Sequence, residues 1–165
     1  MDPTRIDADS ALERAAGSLR VFGLSDGRTS YAGLRLDHRR LAVVIYRVPD
    51  PEFDRQVHEL VGPQTRVILE DAAHARIDLE AARARLWDLP GSHDIAGLSL
   101  PIDGSTVKVT FHGDAAAAQA WMDIAVPGLV TVEQADYGPA GPRKAPSLTA
   151  PPSRPDRSDS LMEIS

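Results

Sequence analysis

The sequence predicts an α+β fold: two tandem α-β-β-α-β units with small antiparallel sheets, each covered by helices on one face, and a disordered Pro-rich C-terminal tail. Three observations carry this. Helical and strand periodicities alternate along the first 136 residues. The order of elements then returns, with some of the same residues, at an offset between 63 and 66. Finally, composition changes abruptly at Tyr137, beyond which proline dominates.

In the first unit, Leu12, Ala15, Ala16 and Leu19 share one face of a helix over Asp9–Arg20, with Asp9 or Ser10 as N-cap and Gly23 as a stop. A polar loop leads to a strand from Tyr31 to Leu36. A turn at Asp37-His38-Arg39-Arg40 leads to its antiparallel partner, Leu41–Arg47, rich in β-branched residues. Asp50-Pro51 is a helix start, an N-cap followed by proline at the first helical position. That helix carries Phe53, Val57, Leu60 and Val61 and ends at Gly62-Pro63; Arg66–Glu70 is a further strand.

The second unit repeats the plan. Asp78 opens a helix with Leu79, Ala82, Leu86 and Leu89 inward, closed by Pro90-Gly91. Ile95–Leu100 is a strand, Asp103-Gly104 a hairpin turn, and Val107, Val109 and Phe111 alternate on its partner. Asp114 caps a helix carrying Ala118, Trp121, Met122 and Ala125, and Leu129–Glu133 is the last strand. Ala32-Gly33-Leu34 matches Ala96-Gly97-Leu98, Val67 and Leu69 match Val130 and Val132, and Leu41, Val43 and Ile45 are matched to Val107, Val109 and Phe111. The expected boundaries are 7–73 and 74–136 for the units. The tail, 137–165, has six prolines between Pro139 and Pro155 and too few apolar residues to offset its ordering entropy.

Composition excludes several chemistries. With 165 residues the chain buries roughly two thirds of its unfolded surface, enough to fold without a staple. It has no cysteine, which removes disulfides, thiolate metal sites and a thiol nucleophile. A net charge of -6 argues against nucleic acid and against anionic membrane surfaces. Met1–Asp9 lacks a leader's basic and apolar regions, and no apolar run is long enough to span a bilayer. The chain as written is therefore expected in the cytoplasm, with secretion requiring a truncated N-terminus.

No residue set converges on catalysis, metal or cofactor binding. Ser25, in Gly23-Leu24-Ser25-Asp26-Gly27, departs from the nucleophile-elbow pattern and reads as a polar turn. The five histidines, His38, His58, His74, His93 and His112, stand at least 16 positions apart, and Glu70 and Asp71 would point to opposite faces of a strand. Glycine loops for phosphate are absent. What remains is surface. Sheets covered on one face leave the other free for a partner; Tyr31, Arg35, Tyr46, Arg47 and Arg66 are the residues expected to line it. Glu70 and its repeat mate Glu133 are the acids expected in a cleft between the units.

Tyr31–Asp37 followed by Leu41–Arg47, within tandem α-β-β-α-β units, resembles uncharacterised actinobacterial proteins and the pro-regions of α-lytic-type chymotrypsin-like proteases. The resemblance covers about residues 30–135. It implies a chaperone and inhibitor that packs one sheet on its protease and sends the segment after the last strand, here from Ala135-Asp136-Tyr137, into the active site. No protease domain follows in this chain, so the implied role is in trans. The unit is also similar to type II KH domains, but their Gly-x-x-Gly loop and basic surroundings are missing. The expected function is a non-catalytic module that binds another protein. The alternative is a small-ligand sensor or an enzyme with its site in the cleft between the units.

Overall fold

Helix α1 (Pro3–Leu24) opens the chain and is longer at both ends than its apolar pattern predicts. Gly23 does not stop it. The Tyr31 ring lies so close to Gly23 that a Cβ there would sit 2.4 Å from a ring carbon, so the glycine is a packing surface inside the helix. The computed structural model describes residues 3–135, with side chains from Asp9 onward; the tail expected at 137–165 lies outside the described residues. After α1 come β1 (Tyr31–Asp37), β2 (Ala42–Arg47), α2 (Pro51–Val61) and β3 (Arg66–Asp71). The second unit is α3 (Arg76–Trp87), β4 (Ile95–Ser99), β5 (Val107–Phe111), α4 (Ala115–Ala125) and β6 (Val130–Gln134), with a 3-10 turn at Ser92–Asp94. The α+β architecture of two three-stranded sheets is as the sequence predicts.

Each sheet is mixed rather than purely antiparallel. The hairpins β1-β2 and β4-β5 are antiparallel, but β3 lies parallel to β2 and β6 parallel to β5. The reason is the intervening helix: α2 and α4 each carry the chain back to the starting end of the sheet, and a strand entered from there runs parallel. Helix α3 begins two residues before the expected cap. Ala75 is its N-cap without a side-chain hydrogen bond, and Asp78 sits in the first turn, where its charge favours the helix dipole.

The pairing register corrects the match between the repeats. Tyr31 pairs with Arg47 and Ile95 with Phe111; Leu34 pairs with Ile45 and Leu98 with Val109. The hairpins therefore superpose at a constant offset of 64, so that Val43 corresponds to Val107 and Ile45 to Val109. The offset becomes 63 only at the last strand, where Val43 pairs with Val67 and Val107 with Val130. Apolar alternation has period two, so a slip of two residues keeps every side chain on its face and goes unseen in the pattern.

Two separate cores result. Leu12, Leu19, Leu34, Val43, Ile45 and Phe53 belong to the first, and Leu79, Leu86, Ile95, Val107, Val109 and Met122 to the second. The units meet through the β4-β5 loop, which lies against the start of β1. A Cβ on Gly33 would fall 2.3 Å from the Ile102 carbonyl oxygen, and one on Gly104 would fall 2.7 Å from the Ala32 Cβ.

Helix α2 is fixed by its cap. Asp50 Oδ1 accepts from the N–H groups of Glu52 (3.0 Å) and Phe53 (3.4 Å), while Oδ2 accepts from the Ser30 hydroxyl at 2.7 Å. The Ser30 hydrogen bond, then that of Phe53, holds this carboxyl below its ordinary value of 3.8. A lowered folded value means the ionised form stabilises the fold. That contribution is present above 3.8 and is lost as pH falls through the lower folded value. Ser30→Ala is expected to reduce stability at neutral pH and to flatten its decline under acid, as read by urea unfolding across a pH series. An unaltered acid dependence would sever this hydrogen bond from the linkage.

Candidate functional site

The two faces of the first sheet differ in kind. Leu34, Leu36, Val43, Ile45, Val67 and Leu69 pack with the helices. The opposite face carries Arg35 and Asp37 on β1, Val44 and Tyr46 on β2, and Arg66, Ile68 and Glu70 on β3, as the register requires. The β4-β5 loop lies against this face at its Gly33 end. Val44, flanked in the register by Arg35 and Ile68, is fully buried. The polar side chains around it are not.

Arg35 organises this face. Its Nε donates to the Tyr46 hydroxyl oxygen at 3.0 Å; Glu70 lies 3.8 Å and Asp37 3.9 Å from its other nitrogens. The Tyr46 hydrogen bond raises the guanidinium further above its already high value, so it is charged at every working pH. Asp37 is held below 3.8, chiefly by the backbone N–H of Arg40, with that of Arg39 adding to it. These hydrogen bonds shape the expected turn, which closes with Leu41 at φ 46°. Arg35 and Glu70 are both about 40% exposed, so donors and acceptors on this face remain available to a partner.

Of the five residues expected to line a partner surface, the structure brings Arg35 and Tyr46 into contact and sets Arg66, exposed, on the same face. Tyr31 is elsewhere. Pairing slips between Tyr31 and Gly33, leaving Ala32 as a bulge, and this turns Tyr31 onto the helix side, where it is 5% exposed. Arg47 is also on the helix side, because it follows Tyr46 in the strand and neighbours point oppositely. There it holds Asp54 through Nε (2.7 Å) and Nη2 (3.1 Å) and Asp71 through Nη1.

The cleft between the units measures about 340 Å³, and Arg20, Leu24, Tyr31, Arg76, Glu80 and Ile102 are among its lining residues. Glu70 and Glu133 are not among them. Glu70 is beside Arg35, and Glu133 is exposed on the corresponding face of the second sheet, paired with Thr110. Burial raises the Tyr31 phenol above 10.0, opposed by Arg20 and Arg76, and Arg76 Nε donates to Glu80 at 2.8 Å. Two guanidinium groups and a phenol favour an anion but supply no nucleophile. No signal in the sequence singles out Arg20, at the end of the first expected helix, or Arg76, ahead of the helix expected from Asp78. Ser25, the serine in the Gly-rich turn, donates its hydroxyl to the Val21 carbonyl at 2.8 Å and completes the end of α1.

Among the described residues, no group of three or more His, Asp or Glu is arranged to hold a metal, and no helix is long and apolar enough to cross a membrane. A scan against protein-family models finds no match, and a search of curated proteins finds none similar in sequence.

Proposed function

We propose that the protein is a non-catalytic binding module that recognises another protein through the open face of its first sheet. The observation that carries this reading is the Arg35–Tyr46–Glu70 group, joined by one hydrogen bond and one ion pair, with Arg35 and Glu70 about 40% exposed, on the sheet face opposite the one packed in the core. Pre-ordered arginine and tyrosine side chains recur at protein interfaces because little entropy is lost when they bind. The resemblance to protease pro-regions points the same way, toward a chaperone or inhibitor acting in trans through a sheet. The test compares the full chain with Arg35→Glu/Tyr46→Ala as bait against extract and medium of the source cells. A partner kept by the native chain and lost with the double variant, whose complex protects β1–β3 amides from exchange, supports the reading. A partner indifferent to both substitutions, with protection elsewhere, overturns it. A serine protease as the partner would next be assayed for inhibition.

A second reading rests on the inter-unit cleft, which Arg20, Arg76 and Tyr31 line together and where both arginines act electrostatically on the phenol. A small anionic ligand there would raise the melting temperature of the native chain and not that of Arg20→Ala.

A further inference from the structure

We infer that the second unit carries a pocket for an arginine side chain neighbouring an aromatic ring in a partner polypeptide. The pocket is an open dish of about 330 Å³ between β5 and the first turns of α4, lined among others by Gly91, Asp94, Phe111, Asp114, Ala117 and Trp121. The first unit shows what belongs there. At the offset of 64 set by the hairpin register, these six correspond to Gly27, Ser30, Arg47, Asp50, Phe53 and Val57.

In the first unit the place is filled. The Phe53 ring covers Gly27, where a Cβ would lie 2.7 Å from a ring carbon, and meets Phe22 with ring centroids 5.3 Å apart. The Arg47 guanidinium is clamped by Asp54, and Ser30 donates to Asp50. In the second unit the ring over the glycine and the arginine clamp are replaced. Ala117 replaces Phe53, Phe111 replaces Arg47, and Ala118 replaces Asp54. Over Gly91 only the far edge of Trp121 approaches, 3.7 Å from where a Cβ would be.

The charges at the rim change as well. Asp114 caps α4 as Asp50 caps α2, through Oδ1 to Ala116 N–H (2.9 Å) and Ala117 N–H (3.2 Å). Its Oδ2, the counterpart of the oxygen that takes the Ser30 hydroxyl, has no hydrogen bond among the described residues. The serine position is Asp94, 3.4 Å from His93 Nε2. Two carboxylates thus border an apolar hollow whose lining holds no cation. A guanidinium placed between them would be held by two carboxylates through charge-assisted hydrogen bonds, as Arg47 is held by a different pair, Asp54 and Asp71, in the first unit. A ring over Gly91 and Ala117, against Trp121 and Phe111, restores Phe53. The template consists of two protein side chains held on one backbone, which is why the occupant is a polypeptide segment with the same two groups.

The probe is N-acetyl-Phe-Arg-amide, titrated into the full chain and followed by backbone and indole amide NMR shifts, with Trp87→Phe assigning the Trp121 indole. The expected result is saturable shifts at Gly91, Ala117 and the Trp121 indole. N-acetyl-Phe-Glu-amide and N-acetyl-Ala-Arg-amide should bind at least about tenfold more weakly. Ala117→Phe, which fills the hollow from within, should abolish binding. Asp94→Ser, which recreates the first unit's residue on the exposed rim, should weaken binding about tenfold with the fold intact. Equal shifts from the Phe-Glu probe, unchanged binding to Asp94→Ser, or shifts confined to other surfaces would overturn the inference. The sheet-face variants Arg35→Glu/Tyr46→Ala should leave this titration unaltered, so the two sites fail or stand separately.

Discussion

Gly33→Ala is expected to destabilise the protein by about 2–3 kcal/mol, while Gly97→Ala, the same change at the same place in the other repeat, changes stability by less than about 1 kcal/mol. Both glycines follow a bulge at the start of a hairpin, with Gly33 opposite Tyr46 and Gly97 opposite Thr110. Their surroundings differ. A Cβ on Gly33 would fall 2.3 Å from the Ile102 carbonyl oxygen, a backbone atom that moves only with its whole loop. A Cβ on Gly97 has its nearest neighbour, Thr110 Oγ1, at 3.9 Å, an ordinary contact. There the alanine also restricts the unfolded chain, so a small gain in stability is within reach. Thermal melts of the two variants check this, with each kcal/mol moving the midpoint by about 3 °C in a chain of this size. Equal melting temperatures would show that the β4-β5 loop does not bear on β1. Gly104→Ala should follow Gly33 in sign. Its φ of 65° disfavours any side chain, and a Cβ there would lie 2.5 Å from the His74 carbonyl oxygen.

Arg47→Ala is the second large effect, expected to cost about 3 kcal/mol. The Arg47 side chain is 11% exposed, and its fork meets both oxygens of Asp54, itself 28% exposed. Removing the guanidinium leaves the Asp54 carboxylate, only partly hydrated, without its bidentate partner beside Phe53 and Val57 on α2. Asp71→Ala should cost less than about 1 kcal/mol, because Asp71 is 74% exposed and water can take the carboxylate's place on Arg47. The second unit supplies the control. Its residues at the three matching places are Phe111, Ala118 and Gln134, so Arg47→Phe/Asp54→Ala/Asp71→Gln should recover most of what Arg47→Ala loses. Urea unfolding of the set decides it. A triple variant no better than Arg47→Ala would mean that the two units do not share one packing scheme at this corner.

Much of the fold is legible in the sequence because it depends on neighbours along the chain. The Asp50-Pro51 and Asp114 starts of α2 and α4, the hairpins, and the buried stripe of Leu79, Ala82 and Leu86 all follow from caps and periodicity. Half of the surface was legible for the same reason. Arg35 and Tyr46 alternate outward on paired strands and β3 adds Arg66, as expected; Glu70, expected in the cleft, joins them on the same face. Tyr31 was misread because its side is decided by one extra residue, Ala32, which slips the pairing without leaving a mark in the apolar pattern. Arg47 was misread because a charged residue at a strand end looks solvated until the helix carrying Asp54 is laid over it. The cleft arginines Arg20 and Arg76 come from two helices far apart in the chain, and nothing local connects them.

The sequence by itself determined the order and type of the elements and most of each apolar stripe, with Leu60 on α2 as an exposed exception, since these rest on interactions within a few residues or on side-chain period. Tertiary structure alone decided the parallel return of β3 and β6, the burial of Tyr31 and Arg47, the loop seated on Gly33, and the hollow left over Gly91. Each of these depends on what arrives from a distant part of the chain, and sterics and charge between such segments have no period to be read.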